Sequence, residues 1–328
     1  MIRDLEQKIL AGQGITPGDC LALSALPDSE LPEIFGAASR IRDRFRGRSV
    51  DLCAIVNAKS GACSEDCAYC AQSGRSSSGV SVFPLLGRRA VLEKAREARD
   101  GGARRFCIVT SGRKPSGRDL ASIAGMVAGV RSLGLLPCAT LGLLNGEDLR
   151  RLKEAGLERY HNNLETSERY FGEICTTHTY RDKVETVRAA QSAGLSVCSG
   201  GIFGLGETWD DRIAMAFALR DLRVDSVPIN FLTPIRGTRM EARQPLSQPE
   251  ALRIISLYRF VLPDRQIRVC GGRMQTLGDQ APLVFSAGAD GLLTGNYLTT
   301  LGRSYGDDLK MIAALGFATT GDTEIRKS

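Results

Sequence analysis

From about residue 50 the chain repeats one phrase: a short β-rich apolar run, a polar turn, then an amphipathic stretch that stops at glycine. The stops stand at Asp100-Gly101-Gly102, Leu133-Gly134-Leu135, Ala155-Gly156-Leu157 and Ala193-Gly194-Leu195. Glycine just past a helix takes up the left-handed conformation that ends it. Each stop is followed by a strand candidate, at residues 105–110, 137–141, 159–165 and 196–201. With residues 52–57 before them, and 226–232, 267–271 and 291–294 after, strands and helices alternate through eight units. This predicts an α/β fold, a closed parallel (β/α)8 barrel of the TIM type. An open doubly wound sheet is the alternative, but it would not bring the second, third, fifth and seventh strands together. Residues 1–49 are expected as extra N-terminal helices packed on the barrel, residues 50–318 as the barrel, and residues 319–328 as a polar tail. No linker divides the chain.

Composition narrows the class without naming a chemistry. The chain has 328 residues, 43% of them hydrophobic, and a net charge of +6 from 43 basic and 37 acidic residues. Basic residues are mixed with acids along polar helix faces, as in LEKAREARDGGARR, which describes a solvated surface rather than a nucleic-acid-binding stripe. The N-terminus lacks an apolar signal core, and no apolar run approaches a membrane span. A cytoplasmic protein is therefore expected, with no nucleic acid and no membrane as partner. In that reducing setting ten cysteines indicate metal or catalysis rather than crosslinks.

Three of them stand in Cys63-Ser-Glu-Asp-Cys67-Ala-Tyr69-Cys70, a C-x3-C-x2-C loop directly after the first strand. Three thiolates hold three irons of a [4Fe-4S] cubane and leave the fourth iron open to a small molecule. A structural zinc knuckle would need a fourth Cys or His nearby. The next Cys downstream is Cys107, and the only histidines are His161 and His178. Tyr69, just before the last Cys, resembles the form found in radical S-adenosylmethionine (SAM) enzymes, where SAM chelates the open iron.

Cys107, Cys138 and Cys198 fall in three of the predicted strands. Singly each reads as a small buried hydrophobe; in one closed barrel, inward side chains of different strands share layers and can meet on a second metal centre. In Ile267-Arg268-Val269-Cys270, alternation puts Arg268 and Cys270 on one face, which should point inward. A buried Arg needs an anion, and an iron–sulfur cluster is one. Gly200 to Glu207 is a glycine-rich strand-to-helix turn without the Lys-Ser/Thr of a P-loop. At the end of strand four, Asn163 and Glu165 alternate onto one face suited to ribose hydroxyls, with His161 beside them; Thr166 or Ser167 can cap the next helix. Asn230 is a polar residue in an apolar strand and suits a substrate amide or ureido group. Cys20 and Cys175, the latter near His178, read as inert thiols without partners.

Taken together, Cys63 to Ser73, Cys138-Ala-Thr-Leu-Gly142, Asn163-Leu-Glu-Thr-Ser167, Val197-Cys-Ser-Gly-Gly-Ile202, Val227-Pro-Ile-Asn230 and Tyr297-Leu-Thr-Thr300 resemble the biotin synthases, a radical SAM family, in the right order over nearly the whole chain. The resemblance implies a homodimer that converts dethiobiotin to biotin, with an electron from flavodoxin or ferredoxin. In that family the cubane cluster reduces SAM to methionine and a 5′-deoxyadenosyl radical, which removes hydrogen from two unactivated carbons in turn. Sulfur comes from an auxiliary cluster, [2Fe-2S] by resemblance, whose ligands map to Cys107, Cys138, Cys198 and Arg268. Tyr69, Asn163, Glu165, Lys183, Gly200, Ile202 and Gly204 map to SAM contacts, with Gly200 to Glu207 backing the adenine, and Asn163 and Asn230 to substrate contacts. The chain departs from the pattern at Lys183, where family members often carry Arg; Arg181 stands close by in sequence, and Lys lacks the bidentate fork. It departs again at Cys53 and Cys270, both Ser positions elsewhere. These extra thiols suggest a different auxiliary cluster, a four-iron one with Cys in place of Arg; the alternative, of equal weight, is that both are small packing residues.

Overall fold

The computed structural model describes residues 1–298 and 302–320. Within them the strands are β1 (Ser49–Lys59), β2 (Arg105–Thr110), β3 (Leu136–Thr140), β4 (Arg159–His161), β5 (Ser196–Cys198), β6 (Gly201–Phe203), β7 (Ser226–Phe231), β8 (Gln266–Val269), β9 (Gly291–Leu293) and β10 (Ala318–Thr319). The ladders between these strands are parallel, and β1 pairs with both β2 and β9, which closes the sheet on itself. Apart from the long β1 and the peripheral β10, the strands are short and mostly buried on both faces, the pattern of a parallel barrel wrapped by helices. Among the described residues, β10 pairs only with the start of β1, through Ser49–Ala318 and Val50–Thr319. Residues 321–328, most of the expected polar tail, lie outside the described residues.

Two expected strands need correction. The fifth, expected as one run over 196–201, is broken: β5 meets β7 at Cys198–Ser226, and β6 meets it again at Gly201–Ile229. The cause is close approach of two backbones. A Cβ on Gly200 would lie 2.1 Å from the carbonyl oxygen of Pro228, so a continuous pleat with side chains cannot pass there. The fourth strand ends at His161 rather than at 165, because Glu165 turns into the left-handed region at φ 72°. Its backbone then bridges the break in the neighbouring strand, with Glu165 N–H donating to Gly200 O and Ile202 N–H to Glu165 O.

The helices are α1 (Ile2–Leu10), α2 (Pro17–Ser24), α3 (Leu31–Arg46), α4 (Arg88–Asp100), α5 (Gly117–Ser132), α6 (Gly146–Glu154), α7 (Glu168–Ile174), α8 (Tyr180–Ser192), α9 (Trp209–Asp221), α10 (Gln248–Val261), α11 (Arg273–Leu277), α12 (Leu283–Ser286) and α13 (Tyr305–Ala314). The predicted stops hold: Gly102, Gly134, Gly156 and Gly194 have φ of 84°, 83°, 100° and 73°. The leading helices lie outside the barrel, α3 packing on α10 and α2 on α9. On α3, Ile34, Ala37, Ala38 and Ile41 are fully buried, and the two alanines let the helix axes approach. Among the described residues, no helix is long and apolar enough to cross a membrane.

Caps fix the helices that carry the site. Ser167 accepts from Tyr170 N–H at the start of α7, as one of the two residues proposed for that cap. Thr179 and Asp182 form a reciprocal capping box at the start of α8. We expect Thr179→Ala to cost about 1 kcal/mol in stability, the usual loss of an N-cap, read as a lower urea midpoint with unchanged slope.

Candidate functional site

The C-terminal ends of the strands surround a cavity of about 430 Å³ that runs from the loop after β1 down into the barrel. Its lining joins nearly every residue singled out in the sequence: Cys63, Cys67, Tyr69 and Cys70 at the mouth, Asn163, Glu165, Lys183, Ile202 and Asn230 on the wall, and Cys53, Cys107, Cys138, Cys198, Arg268 and Cys270 below. Gly200 and Gly204 do not line it. Arg181 is not brought in: it is exposed and paired with Glu185 on the surface of α8.

The cysteine loop is pinned from behind. Asp66 accepts from the N–H groups of Thr176 and Thr177 and from the Thr176 hydroxyl, at 2.9, 3.2 and 2.5 Å. Burial alone would raise the Asp66 carboxyl, but these bonds outweigh it and hold the carboxyl low. Arg239 donates to the carbonyls of Asp66 and Ile174, and Gly112 N–H points at Cys63 Sγ from 3.3 Å. The donor set therefore fits a [4Fe-4S] cluster: three soft thiols on one braced loop, half-buried, beside an open cavity.

The reading of Cys175 as a thiol without partners needs correction. Cys175 Sγ lies 3.9 Å from Cys67 Sγ and 3.3 Å from His178 Nδ1, and that nitrogen lies 2.6 Å from Glu65 Oε2. The hydrogen bond from Cys67 holds the Cys175 thiol down at about 4 and pushes Cys67 up. For His178, burial favours the neutral form, but the bonds to Cys175 and Glu65 outweigh it and raise the imidazole.

A string of hydrogen bonds runs down the wall between the two groups of cysteines. Tyr69 bonds Glu165, whose carboxyl is raised by burial and partly offset by Lys183. Asn163 Nδ2 donates to Glu165 Oε2 at 3.3 Å, and Asn163 Oδ1 lies 2.7 Å from His161 Nε2. His161 Nδ1 lies 2.8 Å from Thr140 Oγ1, which is 3.4 Å from Cys107 Sγ. Burial lowers His161 to about 4, so it is neutral at physiological pH. Asn163 Oδ1 also accepts from Gly200 N–H at 3.1 Å. That orientation of the amide sets the tautomer: Nε2–H donates to Asn163, and Nδ1 accepts from Thr140.

Asn230 lines the cavity with both ends of its amide already engaged: Nδ2 donates to Gly201 O and Oδ1 accepts from Gly271 N–H, at 3.1 and 3.0 Å. One amide hydrogen and one lone pair are left for a ligand. In the turn after β6, Glu207 accepts from the N–H groups of Gly204 and Gly206 and from Arg212. That carboxylate shapes the turn from outside the cavity.

Deep in the barrel the thiols are near neighbours. Cys107 and Cys138 are register partners on β2 and β3, Cys53 hydrogen-bonds Cys138, and Cys270 Sγ approaches its neighbour's carbonyl at Arg268 O. Burial raises Cys107, Cys198 and Cys270, the last to about 12. Arg268 does point inward as alternation predicted, but the anion that neutralises it is Asp51. Arg268 Nη2 lies 2.5 Å from Asp51 Oδ1 and 2.8 Å from Gln266 Oε1, and Nη1 donates to the carbonyls of Asp51 and Leu292. Arg105 meets the same carboxylate at 3.2 Å. Burial alone would raise the Asp51 carboxyl, yet the two cations hold it at about 2.

Known proteins match this arrangement. Residues 58–219 match the radical SAM superfamily, and residues 228–318 match the biotin and thiamin synthesis associated domain. The biotin synthase of Thermodesulfovibrio yellowstonii is 53% identical over 291 residues, covering 89% of this chain and 92% of the relative. The chain belongs to the biotin synthase family. The family's biotin synthase from Pelotomaculum thermopropionicum is 50% identical over 316 residues, covering 96% and 98% of the two chains. Among solved structures, methylornithine synthase superposes with a TM-score of 0.85 over 98% of this chain and 99% of that one, and the hydrogenase maturase HydG with 0.83 over 96% and 74%. Those two are only 22% and 17% identical and so share the fold alone. Biotin synthases are radical SAM enzymes that convert dethiobiotin to biotin, and membership brings the [4Fe-4S] cluster, SAM and dethiobiotin with it.

Proposed function

We propose that this chain inserts sulfur into dethiobiotin in the upper part of the barrel cavity, between a cubane cluster on Cys63, Cys67 and Cys70 and an auxiliary cluster below. One observation carries this reading: two separate groups of cysteines open onto a single cavity, with a polar wall between them. When bound, the cubane cluster and SAM supply the 5′-deoxyadenosyl radical, and every other requirement falls to the protein. Asn163 and Glu165, held by Tyr69 and His161, present a fixed donor and acceptor to the ribose of SAM. Lys183 supplies the cation for its carboxylate. Ile202 on the cavity wall presents an apolar surface to the adenine, and Gly200 and Gly204 shape the backbone on either side of it. Asn230 offers its remaining hydrogen and lone pair to the ureido group. The enclosing strands exclude water, which keeps reactive species from side reactions.

The auxiliary cluster is read as [2Fe-2S], with Cys107, Cys138, Cys198 and Arg268 as ligands, and as the source of the inserted sulfur. Reconstitution with heavy-isotope sulfide confined to that cluster should then yield heavy biotin. Unlabelled biotin would remove the cluster as donor.

A second reading is favoured by the hydrogen bonds of Arg268. Both of its terminal nitrogens are engaged by Asp51, Gln266 and strand carbonyls, while Cys53 and Cys270 are thiols in the same chamber. On this reading the auxiliary cluster has four irons and a Cys ligand in place of Arg. Mössbauer spectra of the Cys270→Ser variant should then lose the auxiliary four-iron signal. A two-iron spectrum unchanged by that substitution restores Arg268. Flavodoxin or ferredoxin as electron donor, a homodimeric state and a cytoplasmic location complete the proposal on the strength of the family resemblance.

A further inference from the structure

We propose that the chain without its cubane cluster binds one thiophilic divalent ion of the zinc type, through Cys67, Cys175 and His178. The three ligand atoms all lie within 4.8 Å of one another. Two thiolates on one tetrahedral ion, with bonds of about 2.3 Å, stand about 3.8 Å apart; Cys67 and Cys175 are 3.9 Å apart. Thiolates on different irons of a cubane are held much farther apart, so this pair is spaced for a single shared ion. His178 Nε2 lies 3.7 Å from Cys175 Sγ, a separation that suits an imidazole and a thiolate on the same ion.

A second observation points the same way. The imidazole already has a carboxylate partner; Cys175 Sγ stands nearer Nδ1 than Nε2, at 3.3 against 3.7 Å, so the ring turns on binding to present Nε2. His178 Nδ1 is bonded to Glu65 Oε2 at 2.6 Å, and both side chains are buried, at 4% and 9% exposure. A carboxylate behind one ring nitrogen fixes the tautomer and leaves the other nitrogen to bind metal, the usual support of a metal-bound histidine. Glu65 is itself held by the hydroxyls of Ser64 and Thr177. Asp66 Oδ1 is also close, 3.3 Å from Cys175 Sγ, but it is committed to Thr176 and Thr177, which leaves the fourth position to water. Cys67, Glu65 and His178 all line the main cavity, which provides access.

Binding forms two sulfur–metal bonds and one nitrogen–metal bond and releases the thiol protons to solvent, with no redox change. Cys67 serves both this site and the cubane loop, so the single ion and the four-iron cluster exclude each other. That exclusion rests on the cluster reading above; the ion site itself does not, and the two fail separately.

The test is an anaerobic titration of the full-length, iron-free chain with Co²⁺, reading thiolate-to-cobalt charge transfer and tetrahedral ligand-field bands, with folding checked by circular dichroism. Cobalt held by the deeper barrel thiols persists in every variant and is subtracted. One equivalent should vanish in both Cys175→Ser and His178→Gln, survive in Cys63→Ser, and bind about 10- to 100-fold more weakly in Glu65→Gln. Zinc added before iron and sulfide should block cubane formation in the parent chain, seen in its visible absorbance, and should do so less in Cys175→Ser. Cobalt binding untouched by Cys175→Ser and His178→Gln would overturn the proposal. So would loss of the same equivalent in Cys63→Ser, which would put the ion on the three-cysteine loop alone.

Discussion

Replacing Asp51 with alanine is expected to destabilise the folded barrel by about 3–5 kcal/mol, the cost of leaving a buried charge without its partner. Asp51 is 3% exposed and Arg268 likewise, and Arg105 shares the same carboxylate. Its removal leaves two cations facing one another in a closed barrel. That loss is a large part of the 5–15 kcal/mol by which a typical protein is stable. Urea unfolding of the cluster-free chain measures it directly; a loss below about 1 kcal/mol would mean that the surrounding thiols ionise and take over the neutralisation. The same pair sets an acid limit. The folded carboxyl titrates at about 2, below its ordinary value of 3.8. Its contribution is therefore complete at neutral pH and is lost as pH falls from the ordinary value through the folded one. Asp51→Ala should lack this component of the acid unfolding curve.

The second large effect is expected at Asn163. Its side chain accepts from Gly200 N–H and His161 and donates to Glu165, so alanine leaves two donors and one acceptor in the buried wall without partners. Each orphaned buried group costs about 1–3 kcal/mol. Because the loss falls on the surface offered to SAM, the KM for SAM should rise about 10- to 100-fold, while kcat falls less. Thr140→Val cuts the same string nearer Cys107 and should leave the KM for SAM close to that of the parent. Equal effects of the two substitutions would show that the string acts as a scaffold and not as a SAM contact.

The barrel was legible because its punctuation is local. Helix-stopping glycines and β-branched runs are properties of neighbouring residues, and they located each strand position within a few residues. The broken fifth strand was not legible, because it depends on how closely Gly200 passes Pro228, a distance with no trace in either segment. Asn163 and Glu165 were brought together as expected, but for a different reason. Strand alternation stops at His161, and the left-handed turn at Glu165 restores the meeting. Lys183 and Arg181 were separable from sequence after all. Residues two apart on a helix point about 200° apart, so only one of them can face the cavity.

Asp51 was missed because it precedes the apolar run that marked the first strand, where an acid reads as a strand boundary. Its partner is 217 residues away. Cys175 was read as unpartnered although His178, a second ligand-type side chain, stands three positions on. The missing element was again long-range, since Cys67 lies 108 residues earlier in the chain. The three-cysteine loop, by contrast, carries its chemistry within eight positions and needed no fold to be read.

The measurement that bears most directly on the central claim is an anaerobic single turnover with the reconstituted chain, dethiobiotin, SAM and a reductant, followed by mass spectrometry. Biotin should form, accompanied by one 5′-deoxyadenosine for each hydrogen removed, and neither should appear when Cys63, Cys67 or Cys70 is replaced by serine. Cleavage of SAM without biotin, from a chain holding both clusters, would contradict the account.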